Sequence, residues 1–231
     1  AALAVYLIWS GYTETSVQGQ KYIAMFLLFA ANILFWALFE QAGASLNFLA
    51  QDHVNAPFHF TLFQSANPMF IVLLAPVFAM MWPWLEKRDL NPSIPRKFAI
   101  ALIGMAAGFA LLVFALKNFL GPDDRIGWYW LAGLYLINTM GELCLSPIGL
   151  SMVSKLAAAR DTGLAMGAWF LCTAIGNFVA GAVAAQASGG SMGGIAQYAS
   201  TYTQIAIAGF AFGAVFMLFS PLINKLMHGV K

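Results

Sequence analysis

The chain has 231 residues, 61% of them hydrophobic and only 9% charged, with a mean hydropathy of +0.77 and a formal net charge of +2. An ordinary soluble domain cannot bury that much apolar surface, whereas a bilayer can. The small charge sits in short basic clusters between apolar runs and gives no reason to expect a nucleic-acid partner.

The chain opens inside an apolar run, Ala1 to Trp9, with no initiator Met, basic leader or cleavage site. This run is shorter than the roughly 20 residues a spanning helix needs. It reads as the end of an interrupted helix rather than a signal peptide, and the sequence as part of a longer protein. A polar link, Ser10 to Lys21, follows. Six runs long enough to span come next: Tyr22–Ala50, Phe58–Leu85, Phe98–Lys117, Trp128–Val153, Thr162–Ala187 and Thr201–Met227. Pro57, Pro92, Pro95 and Pro122 lie in the links, and a loop rich in Gly and Ser (Ser188 to Ser200) precedes the last run. The expected fold is an all-α integral membrane bundle of six transmembrane helices, residues 22–231, preceded by a helix end and link, residues 1–21.

Basic residues orient the bundle. Lys21, Lys87, Arg88, Arg96, Lys97, Lys155, Arg160, Lys225 and Lys231 fall in one set of links and ends, while the opposite set holds only Lys117 and Arg125. The first set is expected to face the cytoplasm, which puts the C-terminus there too. Trp82 and Trp84 at one run's end, and Trp128 and Tyr129 at another's start, suit interfacial anchors.

Polar residues inside the runs mark faces, because positions three and four apart share one side of a helix. The first run offers Asn32, Trp36, Glu40, Gly43 and Asn47. The second offers Phe60, Gln64 and Asn67, with Pro68 expected to bend it. The fourth offers Tyr135, Asn138, Glu142, Ser146 and Gly149, and the fifth Trp169, Thr173 and Gly176. The third has no polar side chain from Phe98 to Leu116, and the sixth has few beyond its outer turn. The third and sixth helices are therefore expected at the lipid-facing periphery, with the other four around a polar, watered cavity. Gly104-xxx-Gly108, Gly163-xxx-Gly167 and Gly209-xxx-Gly213 are spaced for close helix packing.

Glu40 and Glu142 carry the functional argument. A carboxylate at the centre of a spanning helix costs about 3 kcal/mol even on a lenient insertion scale, so it tends to be kept for use. One reading makes both acids buried, protonated and inert; the other makes them a binding or proton-carrying site. No Lys or Arg lies within the spanning part beside either acid, so a positive partner must come from a ligand or from protein outside this sequence. Ser146-Pro147 and Asn67-Pro68 also read as simple helix kinks, and Trp169 and Phe170 as ordinary core or interfacial aromatics. His53 and His59 read as solvated link residues, and Cys144 and Cys172 suggest neither a disulfide nor a metal site. No nucleophile–base pair or metal-ligand spacing is visible. Gly189-Gly190 and Gly193-Gly194 lack the strand and Lys of a phosphate loop. An enzyme, a cofactor and a metal are not expected, although an intramembrane acid–base enzyme and an inert scaffold subunit stay open as alternatives.

Four stretches, in order on four helices, carry a family resemblance: Phe35-Trp36-Ala37-Leu38-Phe39-Glu40-Gln41, Phe63-Gln64-Ser65-Ala66-Asn67-Pro68, Gly141-Glu142-Leu143-Cys144-Leu145-Ser146-Pro147-Ile148-Gly149-Leu150 and Trp169-Phe170-Leu171. They resemble the C-terminal half of the proton-coupled oligopeptide transporters of the major facilitator superfamily. The likeness covers nearly the whole chain and is most specific around Glu142. It implies a proton-driven symporter of di- and tripeptides in the bacterial inner membrane, with protons as coupling ion and an N-terminal six-helix half as partner. Glu142 would meet the peptide ammonium with Asn67 beside it. Ser146, Trp169, Phe170 and Thr173 would line side-chain pockets, and some relatives carry Ser where Thr173 stands. Glu40, with Gln41, would serve gating and proton coupling by pairing with a lysine of the other half. Ala1–Trp9 would end the extra helix pair that bacterial members carry between halves. Thr61 stands where some relatives have an acid of the outer gate. Related carriers of nitrate, amino acids or drugs are the runner-up.

Overall fold

The computed structural model describes residues 2–189 and 194–230; Ala1, Gly190, Gly193 and Lys231, used above, lie outside the described residues. The described chain folds into helices α1 (Ala2–Glu14), α2 (Ser16–Phe39), α3 (Ser45–His53), α4 (Ala66–Glu86), α5 (Ile94–Asn118), α6 (Trp128–Leu156), α7 (Thr162–Ala187) and α8 (Ile195–Leu226). Short 3-10 segments cover Glu40–Gly43, Phe60–Ser65 and Ala159–Asp161, and strands β1 (Val54–Asn55) and β2 (Ile126–Gly127) form one parallel pair. Among the described residues six units are long and apolar enough to cross a membrane: Ser16–His53, Phe60–Glu86, Ile94–Asn118, Trp128–Leu156, Ala159–Ala187 and Ile195–Leu226. The expected six-span, all-α bundle is therefore present.

Three local readings change. The stretch Ser10 to Lys21 is not an open link: α1 and α2 meet at Thr15, whose hydroxyl caps α2 by accepting from the Gln18 N–H at 3.0 Å. The two helices come together because Gly11 and Gly19 leave room for Tyr22 and Tyr12; a Cβ on either glycine would lie 2.5 Å from the opposing ring. The first span is not one helix. It breaks at Glu40–Gly43 and resumes after Ala44, held at φ −122°, ψ −104°, so Gly43 and Asn47 do not continue the face begun by Asn32 and Trp36. Pro68 does not kink a helix centre, because it lies in the first turn of α4, where no intrahelical N–H is needed.

The position of α5 is the larger correction. It packs between α6 and α8 and touches α2, and 61% of its apolar window is buried inside the bundle, against 6% for Phe60–Glu86. The helix expected at the periphery is packed within the bundle, whereas Phe60–Glu86 is the least covered by this chain's own residues, as a wall facing a partner half is. Apolarity does not separate the two cases, because lipid tails are as apolar as a protein interior and membrane helices associate through close packing. Small residues decide it. Gly104 faces the Gly141 Cα, Gly108 faces Asn138, Gly209 faces Ala106, and Gly213 faces Ile103. A Cβ on Gly163 or Gly167 would meet nothing within 4 Å among the described residues, so neither makes such a seam within this chain.

The ends are tied differently. At one end β1 and β2 pair, Val54 with Ile126 and Asn55 with Gly127, and His53 Nδ1 lies 3.0 Å from the Asp124 carbonyl. At the other, Tyr22 donates to Asp161 at 2.8 Å, Arg160 pairs with Glu14 at 3.3 Å, and His228 Nε2 meets Gln20 at 2.7 Å.

Candidate functional site

Glu142 lies mid-way along α6, one turn before Pro147, which cannot donate a backbone hydrogen bond to the Leu143 carbonyl. Its carboxylate is half-buried. Asn67, at the start of α4, donates to Glu142 Oε2 at 2.8 Å and to Thr139 Oγ1 at 3.1 Å. Thr139 can accept because its own hydroxyl donates one turn back to the Tyr135 carbonyl at 2.7 Å. The phenol of Tyr135 donates to the Ala42 carbonyl at 3.3 Å, and its ring stacks on Phe63 at 6.3 Å. One face of α6 is thus bolted to the start of α4 and to the break in the first span. Gln64 closes the frame by donating to the Ala42 carbonyl at 2.8 Å and to Asn47 Oδ1 at 3.1 Å.

The break presents Glu40, half-exposed at the point where α2 gives way to the 3-10 segment. Among the described residues no hydrogen bond or ion pair reaches its carboxylate, and Glu142 lies within its electrostatic reach. Two acids facing one space repel each other unless a proton or a cation comes between them. With the Asn67 amide donor already engaged by Glu142 and Thr139, the two carboxylates suit an ammonium group.

Other expected residues are dispersed. Gln41 is fully buried: its amide donates to the Ala37 and Ala180 carbonyls at 3.1 Å each and accepts from Ser45 Oγ at 2.6 Å, itself reached by Tyr202 Oη at 3.2 Å. It fixes the break against α7 and does not face the acids' space. Trp169 is only 4% exposed. Its ring sits between Phe29 and Phe98 and over Gly149, where a Cβ would lie 2.2 Å away, so the open aromatic of the pair is Phe170, 60% exposed. Thr173 is half-buried, and Gly176 serves packing, since a Cβ there would meet Trp36 at 2.7 Å. Ser146 Oγ is shielded without a partner among the described residues. Asn138 turns away from Glu142 toward Gly108. Thr61 is exposed and pairs with His59 Nδ1 at 2.9 Å. Thr139 escaped the sequence reading; its signal was a hydroxyl three residues before an acid in an apolar helix.

The profile of the family described as PTR2, POT family, matches residues 3–201. Peptide transporter YePEPT of Yersinia enterocolitica is 34% identical over 217 residues, 91% of this chain and 42% of the relative. Dipeptide and tripeptide permease B of Aliivibrio fischeri is 28% identical over 94% of this chain and 46% of its own. Among solved structures, a peptide transporter POT in complex with sulfate superposes with a TM-score of 0.82 at 30% identity, over 99% of this chain and 47% of that one. A POT family transporter in complex with a thioalcohol-conjugated peptide gives 0.83 at 26% identity, over 96% and 46%. The chain spans less than half the length of these relatives.

Proposed function

The chain belongs to the POT family, and on that premise we propose that it is the C-terminal half of a proton-driven symporter of di- and tripeptides. The family is one of transporters and not of enzymes, which removes the intramembrane acid–base enzyme from consideration. Relatives bearing the names peptide transporter and dipeptide and tripeptide permease support the substrate class. The observation that carries the reading is the half-buried Glu142 carboxylate, held from one side by Asn67 and left to find its counter-charge in an incoming ligand. A zwitterionic peptide needs an acidic wall for its ammonium and a basic wall for its carboxylate. This half supplies the acidic wall, and an N-terminal six-helix half supplies the other across the cavity.

The transport bundle begins with α2 at Ser16, and α1, Ala2–Glu14, ends a helix between the halves. Glu40 is the proton-linked gate: charged, it holds a cation of the opposite half; protonated, it lets go. Protons are the coupling ion and no other cofactor takes part. Phe170, Thr173 and Ser146 line the substrate space, Trp169 backs it from the core, and Gln41 holds the gate in place. Lys87, Arg88, Arg96, Lys97 and Arg160, gathered near one end of the bundle, support a cytoplasmic side for that end and the C-terminus, in a bacterial inner membrane.

Glu142→Gln in the complete protein lowers dipeptide uptake about tenfold or more, the worth of a charge-assisted contact, with membrane expression unchanged. Uptake at the wild-type level overturns the role. Glu40→Ala impairs proton-driven accumulation more than counterflow; equal losses remove Glu40 from coupling. Competition by alanylalanine but not nitrate separates this substrate class from its runner-up.

A further inference from the structure

At the end of α4 away from Asn67, the chain turns through residues 87–93 into α5. A cavity of about 180 Å³ opens there, lined by Glu86, Asp89, Asn91, Ser93 and Lys97, with Asn224 of α8 across from them. Lys97 was read above as a link residue, but it lies in the first turn of α5 and is 7% exposed. Its Nζ sits 4.2 Å over the Trp82 ring, and among the described residues no carboxylate comes within ion-pair distance of it. An ammonium taken out of water without a hydrogen-bonded counter-charge is costly, so a cation placed this way calls for an anion.

Two more features point to the same ligand. The Ser93 side chain makes no capping hydrogen bond and Pro95 has no N–H, so the Ile94 and Arg96 N–H groups are the first-turn donors left at the start of α5; with the Lys97 side chain they form a phosphate-type site. The rim carries the opposite charge: Glu86, which accepts from Asn91 Nδ2 at 2.6 Å, and Asp89. Asn91 Oδ1 is buried without a partner among the described residues, an acceptor waiting for a donor. A simple phosphate satisfies Lys97 and the helix end but is repelled by the rim. A phosphate bearing an ammonium a few bonds away satisfies both. Depth agrees as well: Trp82 and Trp84 stand at this level, with the Arg88 guanidinium 4.1 Å over Trp84, as aromatic and basic side chains do where lipid headgroups lie.

We propose that this cavity binds the phosphoethanolamine headgroup of a zwitterionic phospholipid, its phosphate on Lys97 and the α5 N-terminus and its ammonium on Glu86, Asp89 and the Asn91 carbonyl oxygen. The site goes beyond peptide transport and is independent of it, since Asn67 and Glu86 stand at opposite ends of α4.

The test is native mass spectrometry of the full-length protein given equal amounts of phosphatidylethanolamine and phosphatidylglycerol. The wild type retains phosphatidylethanolamine preferentially. Lys97→Gln lowers that retention about tenfold, as loss of a charge-assisted contact does. Asp89→Asn keeps lipid binding but erases the preference. Asp89 is exposed and sits at φ 55°, a conformation asparagine accepts, so this variant folds and decides the matter even where Lys97→Gln does not. Equal retention of the two lipids by the wild type overturns the proposal, and so does a preference that survives Asp89→Asn. Release of the lipid by inorganic phosphate or free phosphoethanolamine at equal concentration assigns the cavity to a soluble solute and overturns it too.

Discussion

The broken span Ser16–His53 and the unbroken helix α5 are buried to a similar extent, 56% and 61% of their apolar windows, yet by different means. Helix α5 is held by glycines and alanines pressed on neighbouring backbones, as where a Cβ on Gly141 would lie 3.0 Å from the Ala101 carbonyl oxygen. The broken span spends side-chain hydrogen bonds to survive an interruption: Gln41 ties it to α7, and Tyr135 and Gln64 cover the freed Ala42 carbonyl. A buried carbonyl that leaves its helix must find another donor. Polar residues therefore gather where the backbone is irregular, and Glu40 stands at such an irregularity. Burial by itself marks packing; burial with internal polar bonds marks the place built to hold a charge.

Substitutions sharpen this contrast. The largest effect on stability is expected for Gly141→Leu, which drives a side chain into the α5 backbone; an overpacking cost of about 3 kcal/mol appears as a fall in melting temperature in detergent, with little soluble protein a consistent extreme. Wild-type melting would mean that the α5–α6 seam is looser than described. Gln41→Leu comes next. It keeps the volume but strands the Ala180 carbonyl and the Ser45 hydroxyl, a loss of about 2 kcal/mol, and transport falls with it because the break supports Glu40. Tyr202→Phe removes one hydrogen bond to Ser45 and costs about 1 kcal/mol. Gly163→Ala, with open space around it, shifts melting by less than about 0.5 kcal/mol. Equal damage from Gly163→Ala and Gly141→Leu would erase the distinction between seam glycines and free ones.

Much of this is legible in the amino-acid sequence. Hydropathy located all six spans, because backbone groups in lipid permit few alternatives to a helix, while the meeting of Asn67 with Glu142 came from the family resemblance and not from the spacing of polar residues. The place of α5 was not legible, since its apolar surface is equally at home against tails or against α8. The break at Glu40–Gly43 carries no proline; only the later partners of Gln41 and Ala42 make it tenable, and those lie on α7, α6 and the second span. Trp169 looked like a pocket wall because its depth depends on Gly149, twenty residues earlier on another helix.

The small parallel ladder between Val54–Asn55 and Ile126–Gly127 has a further bearing. A clasp made of main chain is blind to most side-chain drift, since only proline takes away an amide proton. The rims of the first and fourth spans at that end stay joined while the residues decorating them change freely. Variation can accumulate there at little structural cost, and a hinge sited elsewhere inherits a fixed anchor to swing from.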